Sequence, residues 1–189
     1  MLFSNITDER LAIFQWGVII SASLVSAIWD VRLRRIPNII TFPLLLAGLL
    51  WVTCHGGLSS LAEGVGACIL LALPYVFLFV FANGGAGDAK LMGAIGAWLG
   101  FKQGIVVLCC VATAGIILAI IKSLIQRQVK AVCTSVFVTM YTFILSLAGH
   151  KMQLLNNLSD SEQSESTEVP YGVAIFTGVI IAGVIVWCL

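Results

Sequence analysis

Apolar residues run along this chain in long blocks, and polar residues collect in the gaps between them. The blocks cover residues 11–29, 39–54, 61–82, 104–121, 131–149 and 170–189. Each approaches the roughly 20 residues that a helix needs to cross a hydrocarbon layer. A seventh, shorter block covers residues 89–101. Pro37 stands just before the second block, and Pro170 suits the first turn of the last. Pro43 and Pro74 fall inside blocks, where neighbouring spans must take up the freed carbonyls. The stretch 156–168 is rich in Ser and Glu and reads as a flexible loop. The expected fold is an all-α polytopic membrane protein of about seven transmembrane segments. It forms a single domain with a tail over 1–10, a core over 11–149, a polar loop over 150–169 and a last helix over 170–189.

Composition narrows the picture. Of 189 residues, 60% are apolar and 10% charged; an ordinary soluble domain carries roughly 25% charge. The net charge of +1 leaves no basic footprint for a nucleic acid. Cys68, Cys109, Cys110, Cys133 and Cys188 lie inside apolar runs, and Cys54 ends one. With no C-x-x-C pair, and with His55 and His150 away from ligand spacing, buried thiols are expected and no metal site. The first block is too long for the apolar core of a cleaved leader, lacks a basic start and ends at arginines.

Charge suggests an orientation. If all seven segments cross and residues 30–38 are cytoplasmic, the cytoplasmic loops hold Arg32, Arg34, Arg35, Lys90, Lys122, Arg127 and Lys130. The outer side then holds only Arg10, Lys102 and Lys151. That seven-to-three bias favours an outer N-terminus and a cytoplasmic C-terminus. The short segment is lean, with Ala89, Gly93, Gly96, Ala97 and Gly100 at three- and four-residue spacing. Such spacing lets helix backbones approach closely, so a central, protein-packed helix is expected.

Two acids stand apart. On this topology Asp8, Glu9, Glu63, Asp160, Glu162, Glu165 and Glu168 fall outside, whereas Asp30 and Asp88 share the cytoplasmic face. Asp30 closes the first block and Asp88 opens the short one. Two carboxylates that meet at a water can activate it: one takes its proton while the other, protonated, polarises the scissile carbonyl. Close like charges resist double ionisation, so the pair holds one proton between them. Asp88 at a helix start and Asp30 at a helix end would make Asp88 the resting base and Asp30 the resting acid. Gly84, Gly85 and Gly87 provide a loop that lets a peptide backbone approach the second carboxylate.

These residues carry a resemblance. Asp30-Val31-Arg32 with Arg35-Ile36-Pro37-Asn38 resembles the first-aspartate motif of the prepilin peptidases, the membrane aspartic proteases of the GxGD type. Gly85-Ala86-Gly87-Asp88-Ala89-Lys90-Leu91 resembles the second, and Pro170-Tyr171-Gly172 resembles the start of that family's last helix. The resemblance implies removal of the short basic leader of type IV prepilins or pseudopilins at the cytoplasmic face of a bacterial inner membrane. By the same resemblance Asp30 and Asp88 are catalytic and no cofactor is needed. Gly85 and Gly87 shape the loop at Asp88, and Arg35, Pro37 and Asn38 fix the loop after Asp30. Lys90 either orients the loop or meets lipid phosphate, with simple snorkelling the plain alternative. Expected partners are the prepilin, membrane lipid and pilus or secretion assembly machinery. Long members carry paired C-x-x-C motifs for zinc and also N-methylate their product. Those motifs are absent from this sequence, which argues against methylation and favours the compact peptidases of tight-adherence (Flp-type) systems. The rival reading is a small transporter or channel with the two aspartates as a cation site.

Overall fold

The computed structural model describes residues 2–33, 35–82, 85–125 and 171–188, all helical apart from short connections. The helices are α1 (Leu2–Leu33), α2 (Asn38–Ala82), α3 (Ala86–Ile125) and α4 (Tyr171–Cys188). All four are long and apolar enough to cross a membrane. Large apolar side chains cover their outer surface: Ile39 is 80% exposed and Leu58 81%. Such a surface is costly in water and at home in hydrocarbon. The fold is that of an integral membrane protein. Of the five described cysteines, Cys54, Cys109 and Cys188 lie on this outer surface, not in the interior, and none is disulfide-bonded.

At 45 and 40 residues, α2 and α3 are twice as long as a single crossing requires. Each is broken by a glycine. Gly57 has φ 69° and ψ −161°, and Gly100 has φ 68° and ψ −171°. That conformation is essentially restricted to glycine. The chain doubles back at both points. A methyl placed on Gly64 would lie 3.7 Å from Val52 and 3.8 Å from Leu49. In an unbroken helix residues 49 and 64 would stand about 22 Å apart, at 1.5 Å per residue. In α3, Gly93 packs on Cys68 and Ala72 and Gly96 on Ala67, yet Gly104 is back beside Leu71. The sequence blocks 39–54, 61–82, 89–101 and 104–121 thus match the four limbs of two hairpins. The block 131–149, the loop 150–169 and Pro170 lie outside the described residues.

The short limb of α3 is the centre of the core. Residues 91–99 are all buried, as its small-residue spacing predicts. Gly48 of α2 leaves room for the Trp98 indole, whose Nε1 donates to the Leu44 carbonyl at 2.8 Å. The reversal at Gly100 removes the helical partner of the Trp98 carbonyl, and the Gln15 side-chain amide of α1 donates to it instead.

α4 holds the remaining pieces together. α1 touches α2 and α3 only slightly and packs chiefly on α4, which in turn packs on α3. Gly172 lies on Asp30 and Ala27 of α1, and Gly183 lies on Trp16. Gly178 lies on Val111 of α3. Gly172 and Ala174 point about 200° apart at 100° per residue, and Ala174 faces Gly115 of α3. So α4 is wedged between the other two helices, with small residues on both faces.

These contacts correct the orientation expected of the last helix. α4 runs antiparallel to α1, so its first turn lies at the Asp30 end and its Gly183 end lies with Trp16 of α1. The expected topology, with an outer N-terminus and a cytoplasmic C-terminus, puts the start of the last helix at the opposite face from the aspartates. The charge count rested on every apolar block crossing once, including 131–149. One miscounted crossing inverts everything after it.

Candidate active site

The last turn of α1, the start of α2, the first turn of α3 and the first turn of α4 meet at one end of the bundle. Asp30 and Asp88 are both buried there, 8% and 7% exposed, and lie within electrostatic reach of each other. Carboxylates are costly to bury in an apolar bundle, and two of them converging from separate helices make this end the candidate functional site.

Asp88 is positioned by the loop that precedes it. Its backbone N–H donates to the Gly85 carbonyl at 3.2 Å, which closes the first turn of α3. The Asp88 carboxylate folds back over Gly85, where a methyl would lie 2.8 Å from Oδ2. Gly87 does a different job. A methyl there would lie 2.8 Å from Ile36 Cβ and 3.3 Å from its carbonyl oxygen. The bare glycine lets the segment after Asp30 press against the helix that carries Asp88.

The other residues singled out in the sequence surround this junction. Lys90 is exposed, donates to Asn38 Oδ1 at 2.8 Å and lies 5.7 Å from the centre of the Phe42 ring. It therefore cross-links the two aspartate motifs. Pro37 precedes α2, and its carbonyl accepts from the Ile40 N–H at 3.1 Å. Arg35 is exposed. With Trp29, Leu33, Ile36, Pro37 and Asn38 it borders an open pocket of about 650 Å³ that neither aspartate lines.

Three groups at this end were not placed at the site by sequence. The Gly172 N–H donates to Asp30 Oδ2 at 2.7 Å, a buried contact. Tyr171, which the expected topology puts at the opposite face, and Tyr75 each lie within electrostatic reach of Asp88 and of one another. A tyrosine in an apolar block needs a partner for its hydroxyl, and that was the available signal for Tyr75. One turn below Asp30, Ser26 is fully buried, and its hydroxyl has no partner among the described residues. The polar lining of the site thus extends down α1. Because Asp30 ends one helix and touches the start of another, the dipole argument no longer separates it from Asp88.

Comparison with known proteins agrees with the motifs. A profile of the type IV leader peptidase family matches residues 17–120, more than half of the chain. The chain belongs to the type IV leader peptidase family. Its relatives include three proteins named prepilin leader peptidase/N-methyltransferase. That of Escherichia coli K12 is 31% identical over 56% of this chain and 49% of its own length. That of Burkholderia pseudomallei 1026b is 35% identical over 55% of this chain and 35% of its own. That of Neisseria gonorrhoeae is 30% identical over 56% and 39%. The chain thus matches half or less of the length of each. No solved structure matches. The aligned region holds both aspartate motifs, since Asp30 and Asp88 lie within residues 17–120.

Proposed function

We propose that this chain is a membrane aspartic endopeptidase that removes the leader from type IV prepilins or pseudopilins, with Asp30 and Asp88 as the catalytic pair. The observation that carries the reading is the burial of two carboxylates, from two different helices, at one junction. The family membership and the names of the relatives support the substrate class. Cleavage of Flp-type prepilins without methylation is the finer form of the same proposal.

In this reading a water lies between the carboxylates. The ionised aspartate takes one proton from it as the oxygen attacks the scissile carbonyl carbon. The protonated aspartate gives its proton to the carbonyl oxygen, forming a gem-diol. Collapse of that intermediate breaks the C–N bond, and a proton passes to the leaving amine. A coupled pair performs these steps as a unit. The pocket bordered by Arg35 and Asn38 would receive an extended segment ahead of the prepilin's apolar helix. The arginines after Asp30 support a cytoplasmic location for this end in a bacterial inner membrane, the side on which the basic leader of a prepilin would lie.

The test is co-expression with a prepilin, following leader loss by gel mobility. Asp30→Asn and Asp88→Asn should each abolish processing while membrane insertion persists. Processing by either variant refutes the pair, and aspartate-dependent ion flux without cleavage supports a transporter.

A further inference from the structure

The first turn of α4 meets Asp30 through its backbone. Gly172 is the second residue of that helix, and its N–H donates to Asp30 Oδ2 at 2.7 Å in a buried contact. The first four N–H groups of a helix have no acceptor within it. The Gly172 N–H is therefore free of the helix's own ladder and committed to the carboxylate. The approach is tight. A methyl on Gly172 would lie 2.9 Å from Asp30 Cβ, 3.0 Å from its Oδ2 and 3.2 Å from the Ala27 Cα. A side chain at 172 would push the two helices apart at the carboxylate.

The packing of the bundle gives this contact its weight. α1 carries Asp30 and α3 carries Asp88, yet the two helices touch little and, among the described residues, are joined mainly through α4. On one side α4 meets α1 at Gly172, and on the other it meets α3 at Gly178, where a methyl would lie 2.5 Å from the Val111 Cα. The same helix thus sets the position of both carriers.

From these contacts we infer that the Gly172 main-chain N–H is a positioning group of the active site: it fixes Oδ2 of Asp30 so that the other carboxylate oxygen is presented to the water shared with Asp88. This rests on the proposed aspartate pair. Gly172 touches neither substrate nor water in this arrangement and acts only through Asp30.

The decisive experiment replaces Gly172 by glycolic acid in cell-free synthesis, which turns the 171–172 amide into an ester. The substitution removes the N–H and adds no volume; the helix keeps its backbone bonds, with the Tyr171 ester carbonyl a weaker acceptor in its first turn. Cleavage of a prepilin by the purified full chain in detergent is then measured beside wild type, Asp30→Asn and Asp88→Asn. The expected result is a roughly 10- to 100-fold fall in kcat with KM unchanged, the range for losing one hydrogen bond to a charged group. Thermal unfolding of the ester variant should fall by only a few degrees, the cost of one buried hydrogen bond to a carboxylate, so kcat is taken per folded molecule. Gly172→Ala, which keeps the N–H but adds the methyl, should lose both kcat and thermal stability. An ester variant with wild-type kcat per folded molecule overturns the inference, as does a loss of activity that only tracks a loss of folded protein. Activity in Asp30→Asn overturns the aspartate pair itself. Inactive aspartate variants beside a fully active ester variant leave the pair standing and remove only Gly172.

Discussion

The Lys90 ammonium donates to Asn38 Oδ1 at 2.8 Å and so bolts the first turn of α3 to the first residue of α2. The bond bridges 52 residues of sequence and joins the helix of Asp88 to the loop that leaves Asp30. Lys90 is exposed, so the contact's value is in alignment more than in global stability. Lys90→Met and Asn38→Ala should each slow prepilin cleavage several-fold, with little change in unfolding temperature. The double variant should be no slower than the worse single one, giving a coupling energy of about 1 kcal/mol in a double-mutant cycle. Additive effects would mean that the two residues act separately.

Gly87→Ala tests the seam between the two motifs. The new methyl would stand 2.8 Å from Ile36 Cβ and 3.3 Å from the Ile36 carbonyl oxygen. Either the 35–37 segment that follows the helix of Asp30 or the start of α3 that carries Asp88 must shift. A displacement near 1 Å in a catalytic geometry costs on the order of 100-fold in rate. Cleavage assays should show a loss of that size. Gly17→Ala is the control: it is exposed, with nothing within 4 Å of the added methyl, and should leave cleavage unchanged.

The two reversals predict a ranked pair of stability losses. At Gly57 an added methyl meets nothing, so Gly57→Ala pays only for its backbone conformation, about 1–3 kcal/mol. At Gly100 the same conformation is joined by a methyl 3.0 Å from Glu63 Oε1. Gly100→Ala should therefore be the more damaging, as read by unfolding in mild detergent. The reverse order would mean that the carboxylate of Glu63 moves aside freely.

A chelator should leave prepilin cleavage unchanged. Among the described residues no group of three His, Cys, Asp or Glu side chains is placed to hold a metal ion, and the proposed chemistry needs only the two carboxylates and water. Inhibition by EDTA, restored by a defined divalent ion, would contradict it.

Much of the core was legible because it is written in side chains. The spacing of Gly93, Gly96 and Ala97 announced a packed helix, and residues 91–99 are buried. The break between residues 54 and 61 contains Gly57, and the turn at Gly100 falls just inside the end of the 89–101 block. Asp30 and Asp88 could be paired because so few acids compete with them. What stayed hidden depends on three-dimensional placement. The N–H of Gly172 is a group that nearly every residue carries, so no pattern flags it. Tyr171 was assigned to the wrong end because its position came from counting crossings through residues outside the described structure. Tyr75, in the middle of an apolar block, gave only a hint that its hydroxyl had company.

The wedge of α4 has one more consequence. The two carboxylates are mounted on separate beams, and their spacing is a tolerance set by a third part that contributes no acid. A single methyl on the Gly172 face or the Gly178 face acts as a shim, moving one carboxylate relative to the other while leaving both chemically intact. On the proposed function, damage can therefore take the form of misalignment, introduced from a helix that supplies neither carboxylate.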